Sequence, residues 1–116
     1  MAEHPAPFLD RAGGIVDLGA RIEQDVHIQG PCFLDEGAVI KTGARLGPHA
    51  VIGRQAQVDE QGRVRDSVIW ANSVVGADAL VEGALVGRNC HIGRNTAVGD
   101  GRMLGDRSTL TDYSRL

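Results

Sequence analysis

Aromatic residues are almost missing from this chain. One Trp, one Tyr and two Phe occur in 116 residues, 3% against 42% hydrophobic residues overall. A core without rings must be packed from Val, Ile, Leu and Ala, which suits thin, regular layers and argues against a broad irregular globule. No stretch reaches the about 18 consecutive apolar residues of a membrane span. The N-terminal MAEHPAPFLDRAGG also lacks the basic region and apolar run of an export signal. These absences predict a cytoplasmic protein with no membrane partner. Net charge is -3 and no polybasic run occurs, so a nucleic-acid partner is not expected either. Only two cysteines are present, Cys32 and Cys90, in positions that elsewhere hold Ala and Ser. They read as small core residues and not as a disulfide or metal pair. A chain of this length has room for one domain.

What the chain does have is a beat. Val, Ile or Leu returns at Val16, Ile22, Ile28, Leu34 and so on to Leu116, eighteen times, in steps of six except for two steps of five, Val64 to Ile69 and Val81 to Val86. Both short steps fall at the same corner when every third beat is taken as one turn. Two positions before each beat stands Gly, Ala, Ser, Cys or Thr in sixteen of eighteen cases, Val26 and Arg102 being the exceptions. Gly often follows the beat, as in Gly53, Gly76, Gly87 and Gly93, and three positions after it stand residues such as Asp25, Asn72, Asp78, Asn89 and Asn95. Both sets are expected to supply the positive φ that sharp corners need. A period of 3.6 residues does not fit a strict six, whereas three short strands joined by corners do. The sequence therefore predicts an all-β, single-domain parallel β-helix of about six triangular coils over residues 15–116, preceded by a cap segment at residues 1–14.

The residue before each beat should point outward, since side chains alternate along a strand. Sorted by face, these residues differ sharply. The first face carries Ile15, Phe33, Val51, Val68, Leu85 and Met103, apolar in every coil, with Trp70 beside it. The second mixes Arg21, Val39, Gln57, Val74, His91 and Thr109, and the third carries His27, Arg45, Arg63, Leu80, Ala97 and Arg115. An unbroken apolar column on the outside marks an interface. The third face reads most simply as a solvated basic stripe and more sharply as an anion site at Arg45 and Arg63. The last coil ends on a beat residue with no cap after it, so either contact with another molecule or a missing part of a larger design is expected there.

Catalytic signals are thin. The histidines, His4, His27, His49 and His91, fall at different offsets or on different faces, so no three-histidine zinc site is expected and no metal or cofactor is implied. His91, outward beside Ile92 with Arg94 nearby, offers at most a general base at a subunit junction. No step exceeds six residues, so no loop is thrown out between coils. Asp100 and Asp106 fit corner turns better than a carboxylate pair.

The stretch DSVIWANSVVGADALVEGALVGRNCHIGRNTAVGDG, with EGAVIKTGARLGPHAVIG upstream, resembles the C-terminal left-handed β-helix of the nucleotide-sugar pyrophosphorylases, the sugar-phosphate nucleotidylyltransferases that make GDP-mannose, dTDP-glucose and related donors. The likeness covers roughly residues 15 to 113 and implies the left hand of the helix. The catalytic motif of that family, of the form GxGTRxxPxTxxxPK, does not occur in these 116 residues, so no catalytic residue is carried over. The resemblance implies a non-catalytic structural and oligomerisation module, partnered by its own copies as a dimer or trimer or by a nucleotidylyltransferase-type catalytic domain. Two alternatives remain: a small hexapeptide-repeat transferase with its site between subunits near His91 or His27, and a regulatory module that holds a sugar phosphate or nucleotide on Arg45 and Arg63.

Overall fold

The computed structural model describes residues 8–9, 15–16 and 19–116, with side chains from residue 19 on. From Ile15 on, strands of two or three residues follow one another at the rhythm of the beat, and each pairs in parallel with the strand one coil away. The first sheet runs through Ile15–Val16, Cys32–Leu34, Ala50–Ile52, Val68–Ile69, Leu85–Val86 and Met103–Leu104. Its register places Phe33 beside Val51, Val51 beside Val68, Val68 beside Leu85 and Leu85 beside Met103. The second sheet stacks six strands from Arg21–Ile22 to Thr109–Leu110, and the third stacks five from His27–Ile28 to Ala97–Val98. A single bridge from Ala97 to Arg115 begins the third side of the sixth coil. The result is a triangular parallel β-helix of five closed coils and most of a sixth, with the three faces composed as expected. No helix occurs among the described residues.

Inward columns make the core. Leu34, Ile40, Leu46, Ile52 and every beat residue from Val58 to Val98 are buried, each worth about 1.5–3 kcal/mol relative to exposure. The beats of the outermost described coils have a neighbour on one side only, and there Ile22 is exposed while Leu104 and Leu110 are half-buried. The small residue two places earlier fills the corner beside them: Ala38, Ala44, Ala50, Ala56, Ala79 and Ala84 are buried, as are Cys32 and Cys90. Where this column turns polar, its hydroxyls are satisfied. Ser73 Oγ donates to Gly87 O at 2.5 Å and accepts from Cys90 N–H at 2.9 Å. Ser67 Oγ donates to Arg65 O at 2.8 Å and accepts from Ala84 N–H at 3.0 Å, which ties down the shortened corner at Gly83.

The corners correct one expectation. Positive φ does occur three residues after the beat, at Asp25, Asn72, Asp78, Asn89 and Asn95, and two residues after it at the shortened corners, Asp66 and Gly83. It also occurs at His49, Gln55, Gln61, Arg107 and Tyr113, most of which have no intrinsic taste for that region. Inter-coil hydrogen bonds impose it: Gln55 N–H donates to Glu36 O at 3.0 Å, Gln61 N–H to Thr42 O at 3.1 Å and Tyr113 N–H to Arg94 O at 2.8 Å. Of the glycines directly after a beat, only Gly47 has positive φ. Gly53, Gly76, Gly87 and Gly93 are required by proximity instead. A Cβ on Gly76 would lie 2.7 Å from Gly93 C and Ile92 O, and one on Gly53 would lie 2.9 Å from Ile69 O.

At the other end, Phe8–Leu9 pairs antiparallel with Ile15–Val16 at the edge of the first sheet. The remainder of the segment expected as a cap lies outside the described residues.

Candidate functional site: two outer faces

Alternation along each strand aims one residue in and the next out, and parallel stacking repeats the choice in every coil. On the first face this leaves Phe33, Leu85 and Met103 exposed, Met103 by 74%, with Val51 and Val68 partly exposed between them. Trp70, two residues beyond Val68, is 50% exposed. Ile15 takes its place in the register opposite Phe33, and its side chain lies outside the described residues. The seven residues singled out from sequence thus fall on one sheet and its margin.

On the third face His27 stacks beside Arg45 and Arg45 beside Arg63, all three exposed. Strands that adjoin in this way lie about 4.8 Å apart. Among the described residues neither Arg45 nor Arg63 takes part in an ion pair; those present join His49 to Asp66, Arg54 to Glu36 and Arg65 to Glu82. The stripe forms the floor between two shallow grooves. One, of about 530 Å³, is walled by Gln29, Arg65, Leu80 and Glu82. The other, of about 520 Å³, is walled by Asp25, Gln61, Asp78 and Asn95.

Arg65 and Glu82 were missed in the sequence, though a signal for them exists. Both follow the beats that open the shortened corners, and there the strands lengthen to three residues, Arg63–Arg65 and Leu80–Glu82. The added residue points outward again, which sets Arg65 opposite Glu82, with Nε 2.9 Å from Oε2.

The histidines do not converge. His91 is exposed between Val74 and Thr109 on the second face. His49 Nδ1 lies 3.2 Å from Asp66 Oδ1, both side chains more than half exposed, so the pair lacks the enclosure a general base needs. His4 lies outside the described residues. Among the described residues no three His, Cys, Asp or Glu side chains gather as a metal site, and no helix is long and apolar enough to cross a membrane.

Comparison with known proteins decides the family. The pattern of the GMPPB C-terminal domain matches residues 28–115, three quarters of the chain. The chain belongs to the GMPPB C-terminal domain family. Its fold is accordingly the left-handed, hexapeptide-repeat β-helix of the nucleotidylyltransferases, as the DSVIW stretch implied. No curated protein matches the sequence. Among solved structures, AntD, an N-acyltransferase from Bacillus cereus in complex with dTDP and 3-hydroxybutyryl-CoA, superposes with a TM-score of 0.79 at 10% identity, over 87% of this chain and 71% of that one. A hexapeptide transferase family protein from Anaplasma phagocytophilum gives 0.64 at 22% identity, over 86% and 67%. A variant of GDP-perosamine N-acetyltransferase from Caulobacter crescentus, in complex with CoA and GDP-perosamine, gives 0.50 at 23% identity, over 83% and 51%. At such identities the likeness is one of fold. The GMPPB C-terminal domain of this chain shares with these enzymes the stacked triangle.

Proposed function

We propose that this GMPPB C-terminal domain is a non-catalytic assembly module that joins a second copy of itself through the first face. The observation that carries the reading is the exposed column Phe33, Val51, Val68, Leu85 and Met103, continuous along the coil axis and without a charged residue in it. Water is a poor solvent for such a surface. Each of these side chains would gain up to about 1.5–3 kcal/mol on full burial, and a two-fold contact counts the column twice. The column is also suited to pairing with itself. A two-fold axis at Val68, the middle of the five, sets Val51 against Leu85 and Phe33 against Met103, so that each large side chain meets an apolar partner and the Phe ring meets a thioether. Trp70, half exposed at the margin, provides an anchor of the kind enriched at interfaces.

Mass in solution tests this directly. Size-exclusion chromatography with light scattering across a concentration series should give a dimer that dissociates on dilution. A monomer at every concentration would overturn self-assembly and turn the search to a catalytic domain as the occupant of the first face. The competing reading, a small transferase with its site between subunits, predicts loss of acyl transfer in His91→Ala with the assembly intact.

A further inference from the structure

The apolar column accounts for one face of the prism and leaves the stripe on another unexplained. Parallel stacking puts His27, Arg45 and Arg63 directly above one another, about 4.8 Å apart at the backbone. Like charges directly opposite across strands repel. In the rest of the molecule such stacking is put to use: Arg65 is matched one coil away by Glu82, and Thr42 Oγ1 meets Glu23 Oε1 at 3.0 Å one coil away. Arg45 and Arg63 have no such match among the described residues. The nearby carboxylates do not fill the role. Glu82 is taken by Arg65, and Asp25 and Asp78 line the far groove without approaching either guanidinium to ion-pair distance.

The stripe is also concave on its flank. The groove of about 530 Å³ is lined by Arg45, Arg63 and His27 together with Leu80, which is half-buried and paired in register with Arg63. Gln29 adds an amide. Two arginines whose backbones lie one strand spacing apart can both turn their guanidinium forks to the oxygens of a phosphate or diphosphate, to which Arg binds bidentately. Leu80 leaves an apolar wall for the uncharged part of the same molecule. We infer that Arg45 and Arg63 form a binding site for a phosphorylated small molecule, held by its phosphate or diphosphate group, and that the anion neutralises a repulsion built into the empty β-helix. The site lies on a different side of the triangle from the column proposed for assembly, so either function stands without the other.

The test uses the full chain and two probes, inorganic pyrophosphate and orthophosphate, with sodium chloride at matched ionic strength as the reference. At ten times its dissociation constant pyrophosphate should raise the thermal midpoint by roughly 5 °C, and titration calorimetry should report one site per chain. The Arg45→Ala, Arg63→Ala double variant should lose at least ten-fold in affinity, whereas Arg54→Ala, whose partner is Glu36, should bind as the unaltered chain does. A second reading separates the site from a general effect of charge. Without ligand, Arg63→Gln should melt higher than the unaltered chain, because a stacked cation is gone, and yet bind more weakly. The proposal is overturned by pyrophosphate acting no better than matched chloride, by equal binding in the double variant, or by an Arg63→Gln protein that melts lower while binding is unchanged.

Discussion

The first and third faces of the prism have the same inside and opposite outsides. Behind Val68 stands Ile69 and behind Arg63 stands Val64, both buried in a column of their kind, with the same hydrogen bonding from coil to coil. One residue earlier, the first face presents Phe33, Val51, Val68, Leu85 and Met103, and the third presents His27, Arg45 and Arg63. The difference teaches how labour is divided in a β-helix. Inward residues are fixed by stacking and decide that the chain folds, while outward residues are free of the core and decide what the folded chain meets.

The sharpest way to break that division is to place one charge on each side of it. Ile69→Glu should put an unpaired carboxylate into the dry column, at a cost of about 4–5 kcal/mol or more, comparable with the whole stability of a domain this size. Circular dichroism should show the β signal lost or melting far earlier. Next in size is the contact between coils. Gly76→Ala drives a methyl group to 2.7 Å from the backbone of the coil beyond, and overpacking of this kind costs about 1–3 kcal/mol. Its urea midpoint should fall accordingly, whereas Gly105→Ala, with nothing within 4 Å of the added carbon, should change little. Ser67→Ala takes away the acceptor of Ala84 N–H and should cost about 1–3 kcal/mol for a buried donor left unpaired. The smallest effect belongs to the third face. Removing one cation from the stripe, as in Arg63→Gln, should add about 0.2–1 kcal/mol of stability, since opposed like charges repel, and the gain should shrink as salt is raised.

Much of this architecture was legible in the residues, because a solenoid writes its coil into the chain at fixed period. The spacing of Ile52, Ile69 and Val86 placed them one above another, and the five-residue steps after Val64 and Val81 marked the corner that the structure shortens at Asp66 and Gly83. What the period cannot carry is the distance between coils. Gly53 and Gly76 stand where they do because the next coil passes under 3 Å from where a side chain would start, and the local sequence suggested a turn instead. Gln55, Gln61 and Tyr113 adopt positive φ against their own preference because the coil below holds their N–H groups. The grooves beside the stripe escaped notice for the same reason. Arg65 and Glu82 are seventeen residues apart in the chain and neighbours only once the shortened coil sets them opposite each other.

Neighbouring residues on a single strand provide the most direct test. Val68 faces out and Ile69 faces in, so Val68→Glu and the unaltered chain should be compared by light scattering for mass and by circular dichroism for fold, at the same concentration. The division of labour predicts that Val68→Glu keeps the β-helix and halves the mass, because a two-fold contact brings two carboxylates together at its centre. A Val68→Glu protein that loses the β-helix, or one that stays folded with its mass unchanged, would contradict it.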